Sequence, residues 1–189
     1  MALAVAPIGS ATAGAPTIVR ARFSSYGLSF SYPAAWRREN CGIRQTSSFT
    51  MTIAFLTTSR SATGCPRFLP SGSVKNGGLP IRRLKTNGVL VDWSAFGMPG
   101  RGISKWPGKV ARIGGRAARI LVLRRGSSQA WRESICSRVG AWRAIEVAIA
   151  RPIQDNEFTV DACIRGPNVS ARESAVRHML ASVQIAIGH

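Results

Sequence analysis

Residues 25–36 read SYGLSFSYPAAW. Tyr26, Leu28, Phe30 and Tyr32 occupy every second position, with Gly27, Ser29 and Ser31 between them. A period of two marks a strand that is buried on one face only. Pro33 has no N–H to give to a ladder and ends the strand. Trp36 follows where a turn can fold it back over the strand end. A strand of this kind needs an apolar layer to lie against, so the rest of the chain must supply one.

The same pattern recurs downstream. Phe49, Met51, Ile53 and Phe55 alternate with Thr50, Thr52 and Ala54. A Gly/Ser/Pro-rich loop runs from Thr57 to Leu79, and Asn87-Gly88 signals a turn. Val89, Val91 and Trp93 then oppose Leu90, Asp92 and Ser94, and FGMPGRG breaks the chain again. Further strands are predicted near Ala117 to Leu123, at Ile145, Val147 and Ile149, and at Phe158, Val160 and Ile164, with Ala162 in the small position. RPIQDNE, residues 151–157, joins the last two with hairpin-loop composition.

One helix is well marked. Ser170 and Glu173 fit a capping box, Val176, Met179, Leu180 and Val183 recur at helical spacing, and Gly188 follows as a stop. A second helix is placed between Gln129 and Ser137, where Trp131 would also suit a strand. The expected fold class is α+β: an antiparallel sheet of about six strands sandwiched by helices. At 189 residues the chain fits a single domain, 17–189, behind a distinct segment 1–16.

That first segment, MALAVAPIGSATAGAP, resembles the back half of a secretory signal. A short apolar run precedes two small-x-small sites, Ala11-Thr12-Ala13 and Ala13-Gly14-Ala15, although a basic n-region is missing. A disordered Ala/Gly-rich leader is the alternative. No stretch is long and apolar enough for a transmembrane helix. The four cysteines, Cys41, Cys65, Cys136 and Cys163, form no C-x-x-C pair, and the only histidines are His178 and His189. No metal site or cofactor is expected. In an exported chain four cysteines read as two disulfides, with three possible connectivities. Cys136 precedes the strand that is expected to pair with the strand of Cys163, which predicts a Cys136–Cys163 bridge.

Charge is the most unusual total. Twenty-six basic residues face eight acidic ones, a formal net charge of +18. Such a chain attracts polyanions, although an arginine-rich composition also follows from a GC-rich genome. The densest basic stretch runs from Arg101 to Arg125. Arg101, Lys105, Lys109, Arg112, Arg116 and Arg119 are its candidate anion-binding residues. The expected partner is an anionic cell-envelope component or a protein, with nucleic acid bound only non-specifically.

The segment YGLSFSYPAAW resembles the first strand of the PsbP/Mog-type fold, in which a Gly-containing strand ends in Tyr-Pro and a Trp follows. SSFTMTIAFLTT, NGVLVDWSAFGMPG, IGGRAARI, and DACIRGPN leading into VRHMLASVQI are similar, in that order, to segments of uncharacterised secreted actinobacterial proteins. The resemblance spans roughly residues 23–185 and implies an antiparallel sheet between helices. It brings no activity with it. In those relatives the cysteine after the second strand pairs with one just ahead of the next strand. Here that place holds Asn76-Gly77-Gly78. The resemblance then leaves Cys41 as the partner implied for Cys65.

Catalytic motifs are absent: there is no G-x-S-x-G, G-x-G-x-x-G, P-loop or H-E-x-x-H. His178 lies beside the apolar stripe of the last helix and reads as a half-buried helical histidine. Asp92, Glu146 and Asp161 sit opposite the apolar positions of their strands. A pair of them in one cleft could do acid/base work, but nothing in the sequence sets their spacing. The simpler reading makes Asp161 the partner of Arg143 or Arg165. Trp93, Trp106 and Trp142 are candidates for a ligand groove, against core packing for Trp93 and edge coverage for the other two. Two readings remain: an exported binding module, and a small-ligand-binding or hydrolytic protein that uses a cleft of the sandwich.

Overall fold

The computed structural model describes residues 19–39, 44–45, 50–59, 79–96, 102–151 and 157–186. Strand β1 (Arg20–Ser25) and β2 (Leu28–Pro33) form a hairpin. β3 (Arg37–Glu39), β4 (Arg44–Gln45), β5 (Thr50–Thr57) and β6 (Val89–Phe96) follow, then the hairpin β7 (Lys109–Ile113) and β8 (Arg116–Arg124). Two short helices, α1 (Gln129–Glu133) and α2 (Ile135–Arg138), lead into β9 (Arg143–Ala150) and β10 (Glu157–Ile164). Helix α3 (Val169–Ala181) and a final short strand β11 (Gln184–Ile185) end the described chain.

The strands make two antiparallel sheets. The large one has eight strands in the order β3-β5-β6-β10-β9-β8-β7, with β4 also paired to β5; the small one is β1-β2-β11. The antiparallel sheet expected of the α+β class is present, but with more strands than the six read from the sequence, and strand outweighs helix. Helices lie on both faces of the large sheet, and on one face a second sheet shares the cover. One face of the large sheet is covered by α3 together with the small sheet. The other is covered by α1, α2 and residues 79–84.

Alternation explains both faces. Val89, Val91 and Trp93 of β6, Ile145, Val147 and Ile149 of β9, and Phe158, Val160 and Ile164 of β10 point to the first face. There they meet Val176, Met179, Leu180 and Val183 at the α3 end of the chain, and Phe23, Leu28, Phe30 and Tyr32 from the small sheet. Phe30 stacks between Phe23 and Trp93, with ring centroids 4.9 and 4.5 Å away. Trp36 does fold back: its N–H donates to the Pro33 carbonyl at 2.9 Å and its ring is buried. Leu90, Leu123, Ala144 and Cys163 point to the second face and pack under Trp131, Cys136 and Val139. The Cys136–Cys163 disulfide, with Cα atoms 4.9 Å apart, pins α2 to β10. The Cys41–Cys65 pairing lies outside the described residues.

Several local expectations change. Tyr26 is not on the strand face. It sits with Gly27 in a two-residue turn at φ 55° and 70°, a turn type that needs positive φ at both positions and matches the twist of the flanking strands. A register shift between Thr52 and Ala54 breaks the alternation of β5, so Ile53 joins the first-face core and Phe55 the second. Ser170 does not cap α3. The helix starts two residues earlier than such a cap would set, after Asn168 and without a side-chain cap, and Glu173 instead bonds Arg143 and Arg177. Helix α3 stops well short of Gly188: Ser182 ends it and leads directly into β11.

Candidate functional site

The β7–β8 hairpin lies at the end of the large sheet. Gly114 and Gly115 turn it, both at positive φ, and Ile113 and Arg116 close the turn. β7 bonds β8 on one side, and among the described residues no strand pairs with its other side. Its residues are exposed apart from Ile113 and, in part, Ala111. Register divides the basic residues between the two faces. Lys109 and Arg116 lie on the side of Ile113 and Ile120, and Arg112 and Arg119 on the other side with Val110.

Two of these arginines are held in place by the backbone. Arg112 donates to the Gly115 carbonyl at 2.6 Å, and Arg119 donates to Gly108 and Ser104 carbonyls at 3.2 and 3.3 Å. Carbonyls orient a guanidinium without neutralising it. The ion pairs seen among the described residues, Arg37–Glu39, Arg143–Glu173 and Arg177–Glu173, all lie elsewhere. The sequence shows why: between Asp92 and Glu133 there is no Asp or Glu, while nine Arg and Lys fall in that interval. Lys105 is exposed beside this hairpin, and Arg101 lies outside the described residues.

On the second face of the large sheet stands a row of carboxylates. Asp161 of β10 is directly opposite Asp92 of β6 on one side and Glu146 of β9 on the other. Directly opposed side chains in an antiparallel pair have Cβ atoms about 5 Å apart. Toward one end the next row is Leu90, Cys163, Ala144 and Leu123, closed over by the disulfide and α2. Toward the other it is Ser94, Thr159, Ala148 and Arg119.

Three half-buried acids in register cannot all ionise cheaply. Burial pushes the Asp161 carboxyl up to about 8; repulsion from Asp92 and Glu146 adds to this, and Arg138 offsets only part of it. Burial pushes Asp92 up to about 7 against a hydrogen bond from Ser94, whose Oγ donates to Oδ1 at 3.0 Å. Glu146 is raised by burial and restrained by Ser134. The expected partners of Asp161 are engaged elsewhere: Arg143 pairs with Glu173 and Arg165 donates to the Leu84 carbonyl. Neighbouring acids that hold their protons with different strength can act as a donor and an acceptor. Among the described residues no group of three or more His, Cys, Asp or Glu is arranged to hold a metal ion.

The three tryptophans do not converge. Trp93 is fully buried in the first-face core. Trp106 follows the short 3-10 turn Ile103–Lys105 and is half-buried, its indole N–H enclosed and without a partner among the described residues. Trp142 is 40% exposed at the start of β9. His178 is exposed rather than half-buried, its Nδ1 2.8 Å from the Ser174 carbonyl oxygen. An open groove of about 290 Å³ lies on the small sheet, lined by Ser24, Ser25, Gly27–Ser29 and Gln184–Ala186, away from all of these groups. No helix among the described residues is long and apolar enough to cross a membrane. No protein-family model matches the chain and no curated protein matches it, so its function has to be read from its own residues.

Proposed function

We propose that this protein is an exported, non-enzymatic binding module that holds a polyanionic partner on the β7–β8 hairpin. One observation carries the reading: an exposed hairpin at the sheet end, basic on both faces, with no carboxylate near it in the sequence. Uncompensated cations at a free edge raise the local concentration of anions and speed their capture. The Cys136–Cys163 disulfide supports export, because such bonds persist in oxidising compartments. A PsbP/Mog-type relationship remains part of the proposal. Its support is the segment from Tyr26 to Trp36, which forms a hairpin turn, a strand ending at Pro33 and a returning tryptophan.

The test is a salt titration of binding to anionic vesicles and to duplex DNA. Lys105, Lys109 and Arg116 are changed to Ser together, since none of these side chains is bonded among the described residues. The triple variant should bind more weakly and with a salt slope on DNA shallower by up to about 0.9 per lost phosphate contact. A variant that binds like the parent would refute the site. A second reading rests on the carboxylate row: an acid/base or small-ligand cleft on the second sheet face. Loss of a screened hydrolytic activity in Asp92→Asn, with vesicle binding intact, would favour it.

A further inference from the structure

The edge of β7 that no described strand pairs with carries more than charge. In a hairpin closed by a two-residue turn, the closing pair, Ile113 and Arg116, exchanges hydrogen bonds, and bonded and non-bonded pairs then alternate. Ala111–Ala118 and Lys109–Ile120 are therefore bonded pairs. Val110 and Arg112 turn their N–H and C=O groups outward. Val110 is 76% exposed, and Arg112, two residues on along the same face, is oriented by the Gly115 carbonyl.

We infer that this edge accepts an acidic polypeptide segment in extended form, which adds as a strand beside β7. The inference rests on the polyanion reading above and names the partner's chemistry. Exposed carbonyls distinguish the candidates. A phosphodiester or a lipid phosphate offers only acceptors, so the outward carbonyls of Val110 and Arg112 would repel it. A peptide offers both donors and acceptors and matches the edge group for group. Its side chains alternate across the edge. Carboxylates can then meet Arg112 and Arg119 on one face or Lys109 and Arg116 on the other, while a small apolar side chain covers Val110. Crowding like charges is unfavourable, and a second copy of the same hairpin would bring another Lys109, Arg112 and Arg119 to the seam with no carboxylate of the hairpin to meet them. Edge lysines and arginines are a common guard against self-pairing. Here the guard leaves an acidic strand as the complement.

The test uses the whole protein and a soluble peptide alternating Glu and Val, with two further versions N-methylated at every second residue, one for each register. Binding is read by anisotropy beside anionic vesicles and duplex DNA. The variant is Val110→Pro, which keeps every charge and removes an outward N–H that the β7–β8 ladder does not use. The unmodified peptide should bind the parent. Val110→Pro, and N-methylation in one register, should each weaken it by about tenfold, with vesicle and DNA binding unchanged. If the proline variant misfolds, the methylated peptides decide on the parent protein alone. Equal binding of all three peptides would overturn strand addition while leaving charge capture standing. Vesicles held more tightly than the peptide at matched charge would make a membrane surface the partner and also overturn it. If no polyanion binds, the polyanion reading fails as well.

Discussion

Replacing Asp161 with Asn should make the protein more stable at neutral pH and change little in mild acid. In the native state the Asp161 carboxyl is raised from 3.8 to about 8 by burial and by its two acidic neighbours. Asp92 is raised from 3.8 to about 7, chiefly by burial. Between these values and the unfolded ones the native state binds more protons than the unfolded chain. Stability therefore falls as pH rises through this window. Raising a carboxyl from 3.8 to about 8 is a factor of roughly 10⁴ in proton affinity, or on the order of 5 kcal/mol. The repulsion between the two is part of the Asp161 shift, and Asp92, raised by its own burial, adds a loss in the same direction. We expect the parent to lose at least about 5 kcal/mol of unfolding free energy between pH 4 and pH 8, a large part of the ~5–15 kcal/mol typical of a domain. Asp161→Asn should remove the share of that slope due to Asp161 and leave the share due to Asp92, which its own burial sets. Below about pH 4 the two proteins should converge. Glu173 works in the opposite sense. Burial raises it, but hydrogen bonds from Arg177 and Arg143 outweigh this and hold its pKa low. Its contribution is present above the unfolded value of about 4.5 and is lost as pH falls through the lowered one. The optimum should lie near pH 4 to 5. Guanidinium unfolding at unit pH steps, followed by tryptophan fluorescence, measures this directly. A parent whose stability is flat or rises from pH 4 to pH 8, or an Asn variant with the parent's slope, would refute the reasoning.

Other expectations are local. Gly166 has φ 112°, and a Cβ there would lie 2.5 Å from the Asn87 backbone nitrogen; Gly166→Ala should destabilise by well over ~1 kcal/mol, as a thermal melt would show. Removing the Cys136–Cys163 bridge, which spans a sequence separation of 27, should cost about 3–4 kcal/mol by loop-closure entropy, and a double Ser variant as stable as the parent would count against it. Export predicts a mature N terminus near Gly14 or Pro16 in culture supernatant. Intact Met1 in a cytoplasmic fraction would sink that proposal.

Core strands were legible because each buries a face and therefore alternates. β6, β9 and β10 were readable residue by residue. β7 was not: Lys109-Val-Ala-Arg-Ile is an edge with one fully buried residue, Ile113, so no hydrophobic period marks it. The bulge in β5 was hidden for a related reason, since strict alternation continues in the letters while the backbone slips by one. The pairing of Glu173 with Arg143 depends on a contact 30 residues away that outweighs a local capping pattern. The carboxylate row shows the same limit. Asp92, Glu146 and Asp161 could each be assigned to the polar side of a strand, but their alignment follows from a register set by the whole sheet. The uncompensated charge of the hairpin could have been read from the letters, in the unbroken lack of acids between Asp92 and Glu133.

The position of β11 bears on how the chain is made. β2 is completed early, yet one of its edges is bonded by Gln184 and Ile185, and where β11 stops, the Ser182 hydroxyl takes over, accepting from the Ser31 N–H at 2.8 Å. These partners lie about 150 residues apart: Ser29 and Gln184 by 155, Ser31 and Ser182 by 151. At a synthesis rate of about 5–20 residues per second, β2 waits roughly 8–30 s before the segment that completes it leaves the ribosome. During that interval Phe23, Leu28 and Phe30 have no helix α3 beside them. Until its far end arrives, a nascent chain in this condition cannot complete its small sheet.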